Sequence, residues 1–265
     1  MSLSRSLDGA RKAFHKKDAY ASRKAHDANM RSSAPEQHKT AGNYIKSAVY
    51  GGLDGIITTF AVVAGVAGAS LSSGVVLILG FANLIADGIS MAVGDYLSTK
   101  AEQEYQKRER EREEWEFDNY PEGEHKEMVE LFEDRGLTHK ESKQVIDIMA
   151  QHRRTFIDFM MVEELGILED DENPVKNALV TLGSFLLFGF VPLITFVFSP
   201  LVPFFRNHSF PVASVLTGLT LFGLGALKFK FTSRAWWKLG LEMLLVGGIA
   251  AAAAFGIGHL LSGFA

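Results

Sequence analysis

The sequence predicts an all-α, polytopic membrane protein with five transmembrane helices and a cytoplasmic three-helix insertion between helices 2 and 3. Five apolar segments each approach the roughly 20 residues that a helix needs to cross the hydrocarbon core of a bilayer. Acidic residues concentrate elsewhere, since 23 of the 31 lie between Ser98 and Lys176 and residues 177–265 contain only Glu242. A membrane domain interrupted by a charged, water-exposed insertion explains this segregation.

Residues 1–43 are predicted to form a flexible cytoplasmic tail. The stretch Met1–Thr40 contains nine Lys or Arg residues against four acidic ones and lacks the apolar segment of a signal peptide. We therefore expect the first spanning helix to direct membrane insertion by itself. The basic character of the tail is compatible with contact to anionic lipid, with a sorting signal, or with disorder.

Two regions, 44–97 and 177–265, are predicted to hold the transmembrane helices. The five spans are predicted at residues 47–70, 75–97, 177–198, 211–230 and 239–262. Only the short, uncharged turn Ala69–Gly74 joins the first two, so they must form an antiparallel hairpin. Glycines recur in the first and fifth spans, where they permit close helix packing either within one protomer or between two.

The distribution of Lys and Arg predicts the orientation of these spans. Of the 27 such residues, 26 lie before or at the start of the first helix, in the insertion, or between helices 4 and 5. Only Arg206 lies on the opposite side. Because positively charged loops stay in the cytoplasm, we expect a cytoplasmic N-terminus and a lumenal or extracellular C-terminus.

Asp54, in the middle of the first span, is the clearest functional signal. A charged side chain at the bilayer centre costs about 2.5–3.5 kcal/mol on insertion scales, so it usually faces a bundle interior or an aqueous path. No Lys or Arg lies at the centre of any span to pair with Asp54. A lone buried carboxylate tends to take up a proton, which suits a site where cations and protons compete.

The second span carries a polar stripe of its own. Four residues at intervals of four share one slowly drifting helical face: Asn83, Asp87, Met91 and Asp95. A carboxylate with a thioether nearby suggests a passage for a metal cation. Other roles stay open, with Asp95 as an interfacial residue, Met91 as packing, and Asp87 as a hydrogen-bond partner of another helix.

Region 98–176 is predicted to be a cytoplasmic metal-binding helical domain. The second span continues without Gly or Pro to Phe117, and two shorter helices follow at about 123–135 and 138–165, with a break in the middle of the latter left open. Carboxylates suit hard divalent metals and methionine sulfur suits softer ones. The ordinary alternative to metal binding is that the charged residues of this region form a solvated helix face with ion pairs between residues i and i+4. The candidate ligands are Glu102, Glu109, Glu113, Glu116, Glu124, Glu127, Met160, Met161 and Glu164.

Cysteine and histidine add little to this set. The chain has no cysteine, which excludes disulfides, thiolate metal sites and cysteine nucleophiles and leaves methionine as the only soft sulfur ligand. The histidines of the insertion, His125, His139 and His152, show no pairing at metal-site spacing, so we expect them at the surface.

Three motifs resemble the vacuolar iron transporter family, which includes the yeast vacuolar iron and manganese transporter. They are Tyr50–Gly55 (YGGLDG), Asp87–Tyr96 (DGISMAVGDY) and Asp158–Gly166 (DFMMVEELG), and the resemblance extends in order over 44–262. It implies a homodimer with five spans per protomer and a cytoplasmic metal-binding domain. It also implies exchange of cytosolic ferrous iron, and often manganese, for protons of an acidic, vacuole-like organelle.

The resemblance further implies roles for single residues. It places Asp54 and Met91 in the translocation path, and it makes ligands of Glu113, Glu116, Glu124, Glu127, Glu164, Met160 and Met161. Glu102 and Glu109 follow from helical geometry alone. Some family members have a glutamate where this chain has Asn83. Asp87, one turn further along, is the candidate to supply that charge.

The sequence therefore predicts a proton-coupled transporter of ferrous iron and manganese, and not an enzyme. The expected partners are membrane lipid, divalent metal ions, protons and a second copy of the chain, with no prosthetic group and no nucleic acid. Two alternatives without transport stay open, a membrane-anchored di-iron enzyme and a metal sensor. Di-iron bundles usually repeat a Glu-x-x-His motif, and only Glu122–His125 fits that spacing.

Overall fold

The computed structural model describes residues 16–21, 43–168, 172–230 and 234–264. From residue 43 onwards the helices are α1 (Asn43–Gly68), α2 (Ser73–Asn119), α3 (Pro121–Asp134), α4 (His139–Met149), α5 (Arg153–Glu163), α6 (Pro174–Gly189), α7 (Ile194–Val197), α8 (Pro203–Leu227) and α9 (Trp236–Leu261). Short 3-10 turns occupy Val191–Leu193, Lys228–Lys230 and Ser262–Phe264. The described residues contain no strand, and the predicted all-α class is confirmed.

The chain divides into two compact units, residues 1–46 and 47–265. The tail predicted over 1–43 falls almost entirely outside the described residues. Its described part, 16–21, includes a short helical segment in which the Ala21 amide donates to Asp18 across 2.9 Å. The helices that carry the candidate sites belong to the second unit.

Five helical segments are long and apolar enough to cross a membrane, which confirms the predicted number and order of spans. They are Tyr44–Gly68, Ser73–Asn119, Pro174–Val197, Pro203–Leu227 and Trp236–Phe264. The fourth begins at Pro203, eight residues before the predicted start at Pro211. A proline lacks the amide hydrogen of a helix interior and usually kinks or ends the helix. Here the helix continues through a kink, with non-helical backbone angles at His208.

The second span continues without interruption into the insertion. At 47 residues, α2 is about 70 Å long, more than twice the roughly 30 Å thickness of a hydrocarbon core, so its C-terminal part must project beyond a bilayer. The helix predicted over 138–165 is broken midway, as expected, into α4 and α5. A capping box between Thr138 and Glu141 fixes the start of α4.

The insertion has an apolar core of its own, separate from those of the spans. Met128 and Val129 of α3, Ile146 of α4, and Phe156 and Met160 of α5 form one buried cluster. Phe117, near the end of α2, packs against it, and its ring lies 5.0 Å from that of Phe156. This packing holds the ends of α2, α3 and α5 together, which is where the acidic side chains converge.

Glycines bring the spanning helices into backbone contact within the chain. A Cβ at Gly51 would lie 2.6 Å from the carbonyl oxygen of Thr181, and one at Gly55 would overlap the backbone of Phe185. Gly258 of α9 meets the backbone of Gly65 in the same way. These three glycines are therefore accounted for by packing inside one protomer.

Candidate functional site

Three glutamates from distant parts of the chain converge at the end of α2. Glu113 lies on α2, Glu124 on α3, and Glu164 directly follows α5. One carboxylate oxygen of each lies within 4.8 Å of the others. Glu113 and Glu124 are only 1% and 5% exposed, whereas Glu164 reaches solvent. All three were candidate ligands from the sequence, and their arrangement offers several oxygen atoms to one divalent cation.

The negative charges of the clustered carboxylates exceed the positive charge that neighbours them. The guanidinium of Arg112 lies 2.7 Å from a Glu113 oxygen, but it also pairs with Glu109 and Glu116. The Arg112 contact with Glu113 is an ion pair without hydrogen-bond alignment, so both oxygens of Glu113 and one of Glu124 are buried without a hydrogen-bond partner. Buried carboxylates in this condition favour either a proton or a bound cation.

The pKa values of all three carboxyl groups in the cluster are raised above their ordinary value. Burial, followed by the charge of Glu164, raises the pKa of Glu113 to about 7, although Arg112 opposes the shift. Burial and the charge of Glu113 raise the pKa of Glu124 to about 7. Burial, with the neighbouring charge of Glu127, also raises the pKa of Glu164. At neutral pH a metal ion would therefore compete with protons for these oxygens.

The other predicted ligands of the insertion take different positions. Glu116 and Glu127 lie near enough for their charges to act on the buried carboxylates. Met160 is completely buried in the apolar core, and Met161 is 1% exposed. Glu109 pairs with Arg112, while Glu102 is exposed on α2. Their roles as ligands stay predictions.

The histidines of the insertion do not join the cluster. The Nε2 atom of His125 lies 2.7 Å from Asp147, and Nδ1 of His139 lies 2.6 Å from Glu133. His152 precedes α5 and is exposed. His125 is thus engaged elsewhere than at the three glutamates, which leaves the Glu-x-x-His motif without the arrangement of a di-iron bundle.

Inside the spans, Asp54 of α1 and Asp87 of α2 are brought together. Both are half-buried, and they lie close enough for their negative charges to interact. Asn83, one turn before Asp87, has a buried side-chain nitrogen without a hydrogen-bond partner among the described residues. Met91 packs against the main apolar core of the spans. Asp54 and Asp87 are thus the two residues of the predicted path that the structure brings together across α1 and α2, and the roles of Asn83 and Met91 stay predictions.

A polar contact between α2 and α6 was missed by the sequence analysis. Asp95, part of the predicted polar stripe with an interfacial role left open, accepts a hydrogen bond from the Thr181 hydroxyl. Asn177, one turn before Thr181, is 2% exposed and donates to Glu172 and to Thr99. The available signal was the spacing of four between two polar residues at the start of an apolar span.

The chain matches the profile of the VIT family over residues 45–259. It is 39% identical to a Toxoplasma gondii protein named vacuolar iron transporter, over 97% of this chain and 89% of that protein. It is 36% identical to the vacuolar iron transporter of Plasmodium berghei, over 95% of each chain. It is 34% identical to vacuolar iron transporter 1 of Arabidopsis thaliana, over 83% of this chain and 87% of the plant protein. The similarity covers the spans and the insertion alike.

Proposed function

The chain belongs to the VIT family, and on that premise we propose that it carries ferrous iron from the cytosol into an acidic, vacuole-like compartment in exchange for protons. Manganese is proposed as a second cargo. Its relatives are named as vacuolar iron transporters, which supports transport and not catalysis. Five apolar helices with two neighbouring carboxylates between them support a path through a membrane.

The convergence of Glu113, Glu124 and Glu164 is the observation that carries this proposal. Two of these carboxylates have a pKa of about 7, close to the pH of cytosol. A divalent cation can therefore displace their protons and be held without irreversible binding. We propose that this cluster, with Glu116, Glu127, Met160 and Met161 around it, captures metal on the cytoplasmic side.

The translocation path is proposed to run past Asp54, Asp87, Met91 and Asn83. Asp54 and Asp87 repel each other when both are charged, and one dication between them would neutralise that repulsion. At the acidic face protons would take its place, which releases the metal and couples its movement to proton flow. In this proposal, Asp87 supplies the negative charge that some family members carry on a glutamate at the position of Asn83.

The orientation and assembly follow from charge and exposure. With 26 of 27 Lys and Arg residues on one side, we propose a cytoplasmic tail (1–43) and insertion (98–176) and a lumenal C-terminus. The apolar parts of α2 and α9 are only 28% and 6% buried within one chain. Lipid covers part of this surface, and a second copy of the chain is proposed to cover the rest, because five helices provide few walls for a sealed path.

Reconstituted flux tests this function. We expect proteoliposomes with an acidic interior to accumulate Fe²⁺, with competition by Mn²⁺, and to lose uptake when the pH gradient is collapsed. Asp54→Ala is expected to abolish uptake without disturbing assembly. Near-normal uptake by that variant would remove Asp54 from the path.

The same preparation separates the alternatives. Oxygen consumption on addition of Fe²⁺ would indicate a di-iron enzyme. Metal binding with no flux in any condition would indicate a sensor.

A further inference from the structure

A polar seam joins α2 to α6 at the cytoplasmic end of the spans. We define the seam as six residues, namely Asp95, Thr99 and Gln103 on α2, Asn177 and Thr181 on α6, and Glu172 just before α6. The members on each helix are spaced by four, so each set lies along one helical face. Gln103 fixes the approach to α6 because its side-chain amide donates to the backbone carbonyl of Glu172 across 2.6 Å.

Two neighbouring side-chain contacts cross the seam. The Thr181 hydroxyl donates to the carboxylate of Asp95. The side-chain nitrogen of Asn177 donates to the carboxylate of Glu172 and, at 3.4 Å, to the hydroxyl of Thr99. Since Asn177 and Thr181 are one helical turn apart, their Cβ atoms are about 5–6 Å from each other. Two carboxylates from different segments therefore flank the same turn of α6.

One buried oxygen atom of the seam has no hydrogen-bond donor, and the two carboxylates of the seam have no cationic partner among the described residues. Both hydrogens of the Asn177 amide are used, while its carbonyl oxygen is buried without a donor. A buried polar atom left in this condition costs about 1–3 kcal/mol. In the described part of the chain, no Lys or Arg pairs with Asp95 or Glu172. Asp95, Glu172 and the unsatisfied carbonyl oxygen of Asn177 therefore lie along the same α2–α6 contact.

We propose that this seam is a second binding site for the transported divalent cation. The inference rests on the proposed function, which requires metal to pass from the cluster at Glu113 to the pair Asp54 and Asp87. Asp95 and Glu172 supply the charge, and the Asn177 carbonyl oxygen supplies a neutral ligand. An all-oxygen set suits hard ions such as Mn²⁺ and Fe²⁺ better than soft ones.

The position of the seam on α2 agrees with a relay. Asp95 is one turn from Met91 and two turns from Asp87 on the same helix, so an ion at the seam has its next ligands along the same helix. The far end of α2 carries Glu113. The single helix α2 therefore contributes Glu113 to the cluster in the insertion, Asp95 to the seam and Asp87 to the pair within the spans.

The variant Asn177→Asp distinguishes a cation-binding site from a contact that only stabilises the packing of α2 against α6. The substitution keeps an oxygen in place, adds a negative charge and removes the donor to Glu172. A cation site with one more charged ligand binds Mn²⁺ more tightly, by about tenfold. A structural joint gains nothing from Mn²⁺, because it only loses a hydrogen bond.

The experiment uses the full chain in detergent with Glu113→Gln, Glu124→Gln and Glu164→Gln, which disables the cluster in the insertion. Bound Mn²⁺ is counted by electron paramagnetic resonance during titration. We expect a remaining site whose affinity falls at least about tenfold in Asp95→Asn and rises in Asn177→Asp. Asp54→Asn, in parallel, accounts for Mn²⁺ bound at the membrane pair. The matched control is Glu104→Gln, an exposed acid of α2 that pairs with Lys100, which should change nothing.

Unchanged Mn²⁺ affinity in Asp95→Asn would overturn the inference. If Asn177→Asp fails to fold, the Asp95→Asn result decides alone, since asparagine can still accept the bond from Thr181. Failure of the inference is distinguishable from failure of the proposed function. Normal proton-driven Fe²⁺ flux together with unaltered binding in the seam variants rejects only the seam, whereas absence of flux in the unmodified protein rejects transport itself.

Discussion

Glu113 is the residue at which burial and function are most directly linked. It is 1% exposed, and its nearest cation, Arg112, is shared with Glu109 and Glu116. The attraction of Arg112 is not enough to offset burial and the charge of Glu164, so the pKa of Glu113 is raised to about 7. A fully paired carboxylate would be a poor metal ligand, because its charge would already be balanced.

We predict that metal binding to the insertion is steeply pH-dependent. Glu113 and Glu124, with pKa values of about 7, must lose their protons before they bind metal. Affinity for Mn²⁺ should therefore fall as pH decreases below 7, by about tenfold per pH unit for each proton displaced. Calorimetry in buffers of different ionisation enthalpy measures both the affinity and the protons released.

Glu113→Gln is the matching variant. We expect weaker Mn²⁺ binding and the release of fewer protons, because one titrating ligand is lost. Glu104→Gln, at an exposed position on the same helix, should keep the pH dependence. An affinity that does not vary between about pH 6 and pH 8 would contradict the assignment of these carboxyls as ligands.

At the scale of elements, α2 and the α1–α6 contact matter most. The 47-residue α2 carries Asp87 and Met91 in its apolar part and Glu113 near its end, so one continuous helix contributes residues to both the proposed capture site and the proposed transport path. The close approach of α1 to α6 depends on glycine, since the carbonyl groups of Thr181 and Phe185 occupy the places of the missing side chains. This approach holds Asp54 in position against α2.

Gly55→Ala is expected to lower stability by about 1–3 kcal/mol, because its Cβ would overlap the Phe185 backbone, which cannot move aside as a side chain can. Thermal unfolding followed by size-exclusion chromatography measures the effect. Gly183→Ala on α6 is the control, since a Cβ there would meet no atom within 4 Å. That control should be neutral or slightly stabilising, as alanine favours helix by about 1 kcal/mol. Equal behaviour of the two variants would show that the α1–α6 contact is not as close as described.

At the scale of the whole molecule, acidic side chains that are wholly or partly buried gather at two places. One cluster lies outside the spans, where Glu113, Glu124 and Glu164 meet, and one pair lies within them, Asp54 and Asp87. Buried acids of this kind make the unliganded protein less stable when they are charged. Protons or a bound cation would balance the negative charge of these acids.

We predict that metal-free protein loses stability as pH rises from about 5 to about 7.5. Glu113 and Glu124 have pKa values of about 7 in the folded chain against an ordinary value of 4.5. The folded state therefore binds more protons in that interval, and its stability falls as they dissociate. Each shift corresponds to at most about 3 kcal/mol.

The melting temperature against pH, with and without Mn²⁺, measures this dependence. Mn²⁺ should restore stability at the higher pH, because it replaces the lost protons. The double variant Glu113→Gln, Glu124→Gln should reduce both the pH dependence and the stabilisation by Mn²⁺. A melting temperature that increases with pH over the same interval would contradict the prediction.

The sequence by itself determined the class of protein, the number of spans and the interruption by an acidic insertion. These properties depend on local composition, since the length of an apolar segment and the position of charges decide what enters a bilayer. The cost of an unpaired carboxylate in a membrane also made Asp54 recognisable without a structure. The sequence misplaces the start of the fourth helix because Pro211 resembles a helix boundary, whereas the helix accommodates this proline with a kink.

Only the tertiary structure decided which of the many acids act together. Glu113 and Glu164 are far apart in the sequence, and the packing of α3 and α5 on the end of α2 brings them within 4.8 Å. Helical spacing gave no means to separate them from Glu102, which shares their chemistry but stays exposed. The partnership of Asp95 with Thr181 was hidden for the same reason. Side-chain burial and interhelical contact depend on how distant helices pack, and spacing along one helix does not contain that information.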